Sequence, residues 1–180
     1  MTTSEALITA PPDYRTALEQ SAMRDESAAG RIFMRGRDAA SLLHRLSTND
    51  IVGLKPGQGA RTVLTTSIGR IIDVLYVYRL EDGVLITTSL NQGPPVYGLL
   101  KKNIFFNDQV TLEPAGRSHG QLALYGPEAA AVLEQLAGAG LPDLPLHHHA
   151  EIALAGVPVR VARREPIGGP SFTLFVPAES

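Results

Sequence analysis

The chain of 180 residues has no cysteine. This removes disulfide frameworks, thiolate metal sites and cysteine nucleophiles together, and it is compatible with a reducing compartment. No apolar run is long enough to span a bilayer, and the opening MTTSEALITAPPDYR lacks a basic region followed by an apolar core. We therefore expect a soluble, cytoplasmic protein with no membrane partner. Neither sign of charge dominates. The formal net charge is −2 with the signs interspersed, which argues against a broad phosphate-binding surface and against nucleic acid as a direct partner. No phosphate-loop motif occurs, and no serine, Ser67 included, sits in a nucleophile-elbow pattern.

What is present suffices for a core: 44% of residues are hydrophobic, and the length fits one domain or slightly more. The densest pattern is GQGARTVLTTSIGRIIDVLYVYRL, Gly57 to Leu80. Arg61 to Thr66 is rich in β-branched residues, Ser67-Ile68-Gly69-Arg70 supplies a reversal, and Ile71 to Arg79 is a second β-rich run. In that run Ile71, Asp73, Leu75 and Val77 share one face, and Ile72, Val74, Tyr76 and Tyr78 share the other. Both faces are largely apolar, so the strand should be covered on both sides. Asp73 then needs a partner, a rim position or a ligand.

Around this hairpin the chain reads as a helix from Asp13 to Glu26, a strand over Arg31 to Arg35, and a helix capped by Asp38 with Ala39, Leu42, Leu43 and Leu46 on one stripe. A third strand, Val84 to Ser89, would complete an antiparallel meander. A helix over Val96 to Phe106 and a strand over Gln109 to Glu113 close the first unit. The pattern then begins again: MRGRDAASLLHRL from Met34 and LYGPEAAAVLEQL from Leu124 place glycine, acid, Ala-Ala and apolar residues alike. Strands near Glu151 to Leu154, Pro158 to Ala162 and Ser171 to Val176 follow, with no counterpart of the Val96 to Glu113 segment. We expect an α+β fold of duplicated strand–helix–antiparallel-sheet units. Residues 1–29 would be an N-terminal tail and short helix, and residues 30–180 a domain divided into 30–113 and an incomplete second unit, 119–180.

The segments GRDAASLLHRLSTND (Gly36 to Asp50), LKPGQG (Leu54 to Gly59), GRIIDVLYVYRL (Gly69 to Leu80) and LALYGPEAAAVL (Leu122 to Leu133), in that order, resemble the N-terminal part of the glycine-cleavage T-protein (aminomethyltransferase) folate-binding family. That family includes aminomethyltransferases, tetrahydrofolate-dependent demethylases and a branch linked to tRNA modification and iron–sulfur maintenance. The resemblance implies tetrahydrofolate as cofactor, a folate-type small molecule as partner and one-carbon chemistry. Family chains continue well beyond the position matching Ser180, so a homo-oligomer or a complementing chain is a further expected partner.

Departures from the family pattern qualify these expectations. Aminomethyltransferases usually carry consecutive acids after the G-x-I-I segment, the second associated with folate and chemistry; here Asp73 is followed by Val74. Valine neither holds a proton nor accepts a hydrogen bond. In EPIGGPSFTLFVP, Gly169 stands where the family has a pterin-contacting acid. No catalytic residue is therefore assigned, and the chain alone is expected to be inactive. The candidate cofactor-binding residues are Asp73, Tyr76, Tyr78, Asn91 and Arg61. Each has a plainer alternative: an ion-paired strand-edge acid for Asp73, core packing for the tyrosines, surface solvation for Arg61 and Arg70. His147-His148-His149 is not taken as a metal site, because consecutive residues of an extended segment point to alternate sides. The alternative to a folate binder is a non-catalytic or partner-dependent module of the tRNA-modification and iron–sulfur branch, or a truncated subunit.

Overall fold

A computed structural model describes residues 12–179; of the tail expected over Met1 to Pro12, residues 1–11 lie outside the described residues. Its elements are α1 (Pro12–Glu19), β1 (Ala22–Asp25), β2 (Ala29–Arg35), α2 (Ala39–Leu46), β3 (Gly59–Thr65), β4 (Ile71–Arg79), β5 (Gly83–Leu90), α3 (Gly93–Lys102), β6 (Thr111–Pro114), β7 (His119–Tyr125), α4 (Ala129–Ala137), β8 (His149–Leu154), β9 (Val157–Ile167) and β10 (Gly169–Pro177). They form two five-stranded antiparallel sheets, ordered β3-β4-β5-β2-β6 and β8-β9-β10-β7-β1.

Strand alternation divides the apolar residues among three clusters. Ile32, Leu75, Val77 and Ile86 pack with Leu42 and Leu43 of α2 and Val96 and Leu100 of α3 on the outer face of the first sheet. Leu124, Val161 and Leu174 pack with Ala129 and Leu133 of α4 outside the second sheet. Phe33, Tyr78 and Leu85 meet Ala162 and Phe175 between the sheets. Thus β4 is covered on both faces, by helices on one and by the second sheet on the other. The fold is α+β, with the expected duplication visible in the strand order: β2-α2-β3-β4-β5 and β7-α4-β8-β9-β10 trace the same path.

Among the described residues no helix or strand follows β10, and the fifth strand place of the second sheet is filled by β1. Where β6 pairs with β2, β1 pairs with β7. The turn glycines agree with this exchange. Gly36 (φ 110°) is crowded by the carbonyl of Gln109, just before β6, and Gly126 (φ 104°) by the carbonyls of Ala17 and Gln20, just before β1. A side chain fits at neither, and the positive φ suits glycine alone.

Local expectations moved in places. The helix expected from Asp13 to Glu26 stops at Glu19, because Ala22–Asp25 takes the ladder offered by the β7 edge. Helix α3 runs Gly93–Lys102 rather than Val96 to Phe106, since its prolines occupy the first turn, where their missing N–H is no loss. It ends at Asn103, whose N–H donates to the Leu100 carbonyl, while the Ile104 N–H donates to that of Lys101. Helix α4 begins at Ala129, after Pro127, and stops as expected at Gly138 in the left-handed conformation.

Candidate functional site

The inter-sheet layer opens at one end into a cleft of about 280 Å³. β4 builds one wall: Tyr76 and Tyr78 project into it, and Thr87, Thr88 and Ser89 of β5 continue that wall. Thr173 of β10 and Gln121 of β7 face them from the second sheet. Tyr78 is fully buried, its ring edge-on to Phe175 (5.4 Å) and His149 (5.5 Å). Thr173 stands beside its hydroxyl. Burial pushes the phenols of Tyr76 and Tyr78 up from their ordinary value, so both are neutral hydrogen-bonding groups at pH 7.

The polar side of the cleft centres on Glu26, from the β1–β2 loop. Its carboxylate accepts from Gln121 Nε2 (3.2 Å), Tyr125 Oη (3.1 Å) and Arg164 Nη1 (3.1 Å). Arg164 also lies over the Tyr125 ring, 4.8 Å from its centroid. The loop is stitched to β7 by its backbone as well: Glu26 N–H donates to the Gln121 carbonyl (2.8 Å), and Gln121 N–H donates to Ser27 Oγ (3.1 Å). A second carboxylate, Glu165, accepts from the Tyr76 hydroxyl (3.2 Å), pairs with Arg61 (3.1 Å) and lies 3.7 Å from His147 Nε2. Burial holds the His147 ring below the usual imidazole range, although Glu165 opposes that shift.

These positions sort the residues singled out from sequence. Tyr76 and Tyr78 line the cleft; Arg61 does not, and pairs instead with Glu165, which accepts from the Tyr76 hydroxyl. Asp73 does not face it. Its carboxylate is buried on the opposite side of β4, accepting from Val74 N–H (2.9 Å) and Ser89 N–H (3.0 Å), so it holds the end of β5 where the β4 ladder has stopped. A register shift between Leu64 and Thr65 puts a bulge just before Asp73, yet Asp73 keeps the Leu75 and Val77 side. Val74 has the Tyr76 face by alternation and is 37% exposed. Asn91 is exposed in the turn after β5 with φ 61°, donating its N–H to the Ala28 carbonyl outside the cleft wall. Gly169 packs on Pro127, whose Cα would lie 2.5 Å from an added Cβ, so a side chain there would displace that turn.

Sequence reasoning missed Glu26, Gln121, Arg164 and Thr173. No pattern marked them: Gln121 shares the inward face of β7 with His119, Ala123 and Tyr125, so it does not stand out as a lone polar residue. A larger cavity of about 680 Å³ lies on the far side of the Tyr78–Phe175–His149 contact; the ion pairs Arg35–Asp82 and Arg160–Glu151 line it, together with Arg79, Glu81 and Glu113. Among the described residues no group of three or more His, Cys, Asp or Glu is arranged to hold a metal ion. No helix among them is long and apolar enough to cross a membrane.

Comparison with known proteins agrees with this architecture. The aminomethyltransferase of Exiguobacterium sibiricum is 32% identical over 168 residues, covering 92% of this chain and 46% of the relative. The Mycobacterium leprae aminomethyltransferase is 32% identical over 174 residues, with the same shares. The chain thus spans about half the length of the curated relatives it matches. In structure it resembles the glycine cleavage system aminomethyltransferase T of Bartonella henselae, with a TM-score of 0.79 and 23% identity over 92% of this chain and 44% of the other. It also resembles a heterotetrameric sarcosine oxidase of Corynebacterium, with a TM-score of 0.62 and 17% identity over 88% and 76% of the chains. These two likenesses concern the fold. The family described as the GCVT N-terminal domain matches residues 9–180, and the chain belongs to it.

Proposed function

We propose that this aminomethyltransferase-family domain binds a reduced folate, tetrahydrofolate or a close relative, in the cleft between its sheets. The observation that carries the reading is the pairing of aromatic wall and polar rim: Tyr76 and Tyr78 on one side, Gln121 and Thr173 on the other. The residues suit the group. At about 280 Å³ the cleft is near the lower end of ligand pockets, ~300–1,000 Å³, which fits a bicyclic heterocycle with its tail outside. Arg24 lines the cleft, and Arg61, more than half exposed, pairs with Glu165 beside Tyr76; these are the cations offered to a carboxylate tail. When bound, tetrahydrofolate would supply the nitrogen that accepts a one-carbon unit.

The same reading makes the chain a binder rather than a catalyst by itself. Val74 stands where the family pattern has its second acid, and Asp73, turned to the helix side, is not a substitute. General acid–base or electrostatic help from such a group is commonly worth a hundredfold or more, of the order of 10²–10³. We expect no folate-dependent release of ammonia or methylene-tetrahydrofolate from an aminomethylated carrier; measurable release would overturn this. Calorimetric titration with tetrahydrofolate and 5-formyltetrahydrofolate tests binding, and no heat at millimolar folate retires the reading. The second reading is a non-catalytic or partner-dependent module completed by another chain, in the cytoplasm. It is favoured by the Val74 departure.

A further inference from the structure

We infer that Arg24, on the edge strand β1, anchors the carboxylate tail of the cleft's ligand, so that the site selects a tailed folate over a bare pterin. This deepens the folate reading of the same cleft and rests on it. In the β1–β7 ladder Arg24 lies directly opposite Ala123. Residues directly opposite on antiparallel strands share a face, so Arg24 stands on the side of Ala123 and of its alternate neighbours Gln121 and Tyr125, whose side chains both reach Glu26. There it lines the cleft while its side chain stays exposed to solvent. The internal repeat marks this place as one that faces a cleft. Glu113 of β6 lies opposite Phe33 as Arg24 lies opposite Ala123, and Phe33 and Ala123 each stand three residues before a turn glycine, Gly36 or Gly126. Glu113 lines the larger cavity beyond the Tyr78–Phe175–His149 contact. Equivalent places thus put an acid at one mouth and a base at the other.

Arg24 is also the uncommitted cation among the arginines near this cleft. Arg164 is held by Glu26 (3.1 Å) and Arg61 by Glu165 (3.1 Å). Among the described residues Arg24 has no ion-pair partner. The acids beside it are engaged elsewhere: Asp25 accepts from the Ser27 N–H (2.7 Å), and Glu26 accepts from Gln121, Tyr125 and Arg164. A carboxylate arriving at the mouth can take two parallel N–H bonds from the Arg24 guanidinium without displacing a partner. At Arg61 it would have to compete with Glu165. A ring lacking the tail gains nothing from Arg24, so the discrimination is between ligands that share the ring and differ in the tail.

The experiment measures by calorimetry the binding of tetrahydrofolate and of 6-methyltetrahydropterin, which has the ring without the glutamate-bearing tail. The proteins are the wild-type chain, Arg24→Gln, Arg24→Glu and Arg61→Gln. Wild type should bind tetrahydrofolate the more tightly of the two, and added salt should weaken that binding while leaving the pterin's nearly unchanged, a comparison that needs no variant to fold. Arg24→Gln should weaken tetrahydrofolate binding about fivefold, and Arg24→Glu further, with the pterin bound as before. Arg61→Gln should cost less. A purely structural role for Arg24 would weaken both ligands together. Wild type binding tetrahydrofolate no more tightly than the pterin, or Arg24→Glu binding tetrahydrofolate within about twofold of wild type, would overturn this inference and leave the folate reading standing. Binding of neither ligand by the wild-type protein would overturn both.

Discussion

At the scale of single residues, β4 explains why Asp73 and Val74 are not interchangeable. One peptide apart on a strand, they face different layers: Asp73 caps the Ser89 N–H beneath the helices, and Val74 stands half-open on the tyrosine side. Asp73→Ala leaves that N–H and the Val74 N–H without their acceptor and should lower stability by about 1–3 kcal/mol. Asp73→Asn, which retains an oxygen, should lose less. Val74→Asp should cost no more than about 1 kcal/mol, the span of strand preferences at such a site. Chemical denaturation of the three variants checks the order, and an Asp73→Ala variant as stable as wild type would refute the role given to this carboxylate. The alternation of β4 was legible in the sequence, because period-two patterning follows from strand geometry alone. What Asp73 holds was not, since Ser89 reaches it only through the β4–β5 pairing.

At the scale of elements, the repeat was readable from Gly36 and Gly126, each followed by a helix with the same apolar stripe. Its closing piece was hidden for a physical reason. β1 is four residues long and mostly exposed, so Ala22–Asp25 carries no hydrophobic alternation to distinguish it from a continued helix. Its strand state is imposed by β7, about a hundred residues later. The Glu26–Arg164 pair was hidden in the same way, joining residues 138 positions apart. A chain beginning at Ala29 would lose both α1 and β1, leaving β7 with an open edge. Open strand edges recruit other strands. Size-exclusion chromatography with light scattering should then find self-association or aggregation, and a lower melting temperature. A truncated chain that stays monomeric and melts with the full-length one would show that β1 is not what closes the second sheet.

At the scale of the whole molecule, the two sheets are latched across their interface by a histidine that must stay neutral. His149, at the start of β8, is 4% exposed; its Nε2–H donates to the Arg79 carbonyl at the end of β4 (2.9 Å), and its Nδ1 accepts from Arg160 (3.1 Å). Burial, and then the Arg160 charge, hold its pKa down at about 4 against an ordinary 6.5. A proton on Nδ1 would place two cations face to face in the core. Above pH 6.5 neither the folded nor the unfolded state carries this proton, and the latch contributes fully. As pH falls from 6.5 toward 4 the unfolded chain takes up the proton first, so stability is lost progressively, by about 3 kcal/mol once both values are passed. Burial lowers the pKa of His119 and His147 as well, which adds loss of the same sign. The share owed to His149 is isolated by comparison with His149→Gln, which keeps a donor for the Arg79 carbonyl and has no charge to gain. Urea unfolding at intervals from pH 7.5 to 4.5 should show a shallower decline for the variant, with the two curves drawing together in acid. Parallel curves across that interval would mean that His149 is protonated equally easily in both states, and that the sheets are held by Phe33, Tyr78 and Phe175 without it.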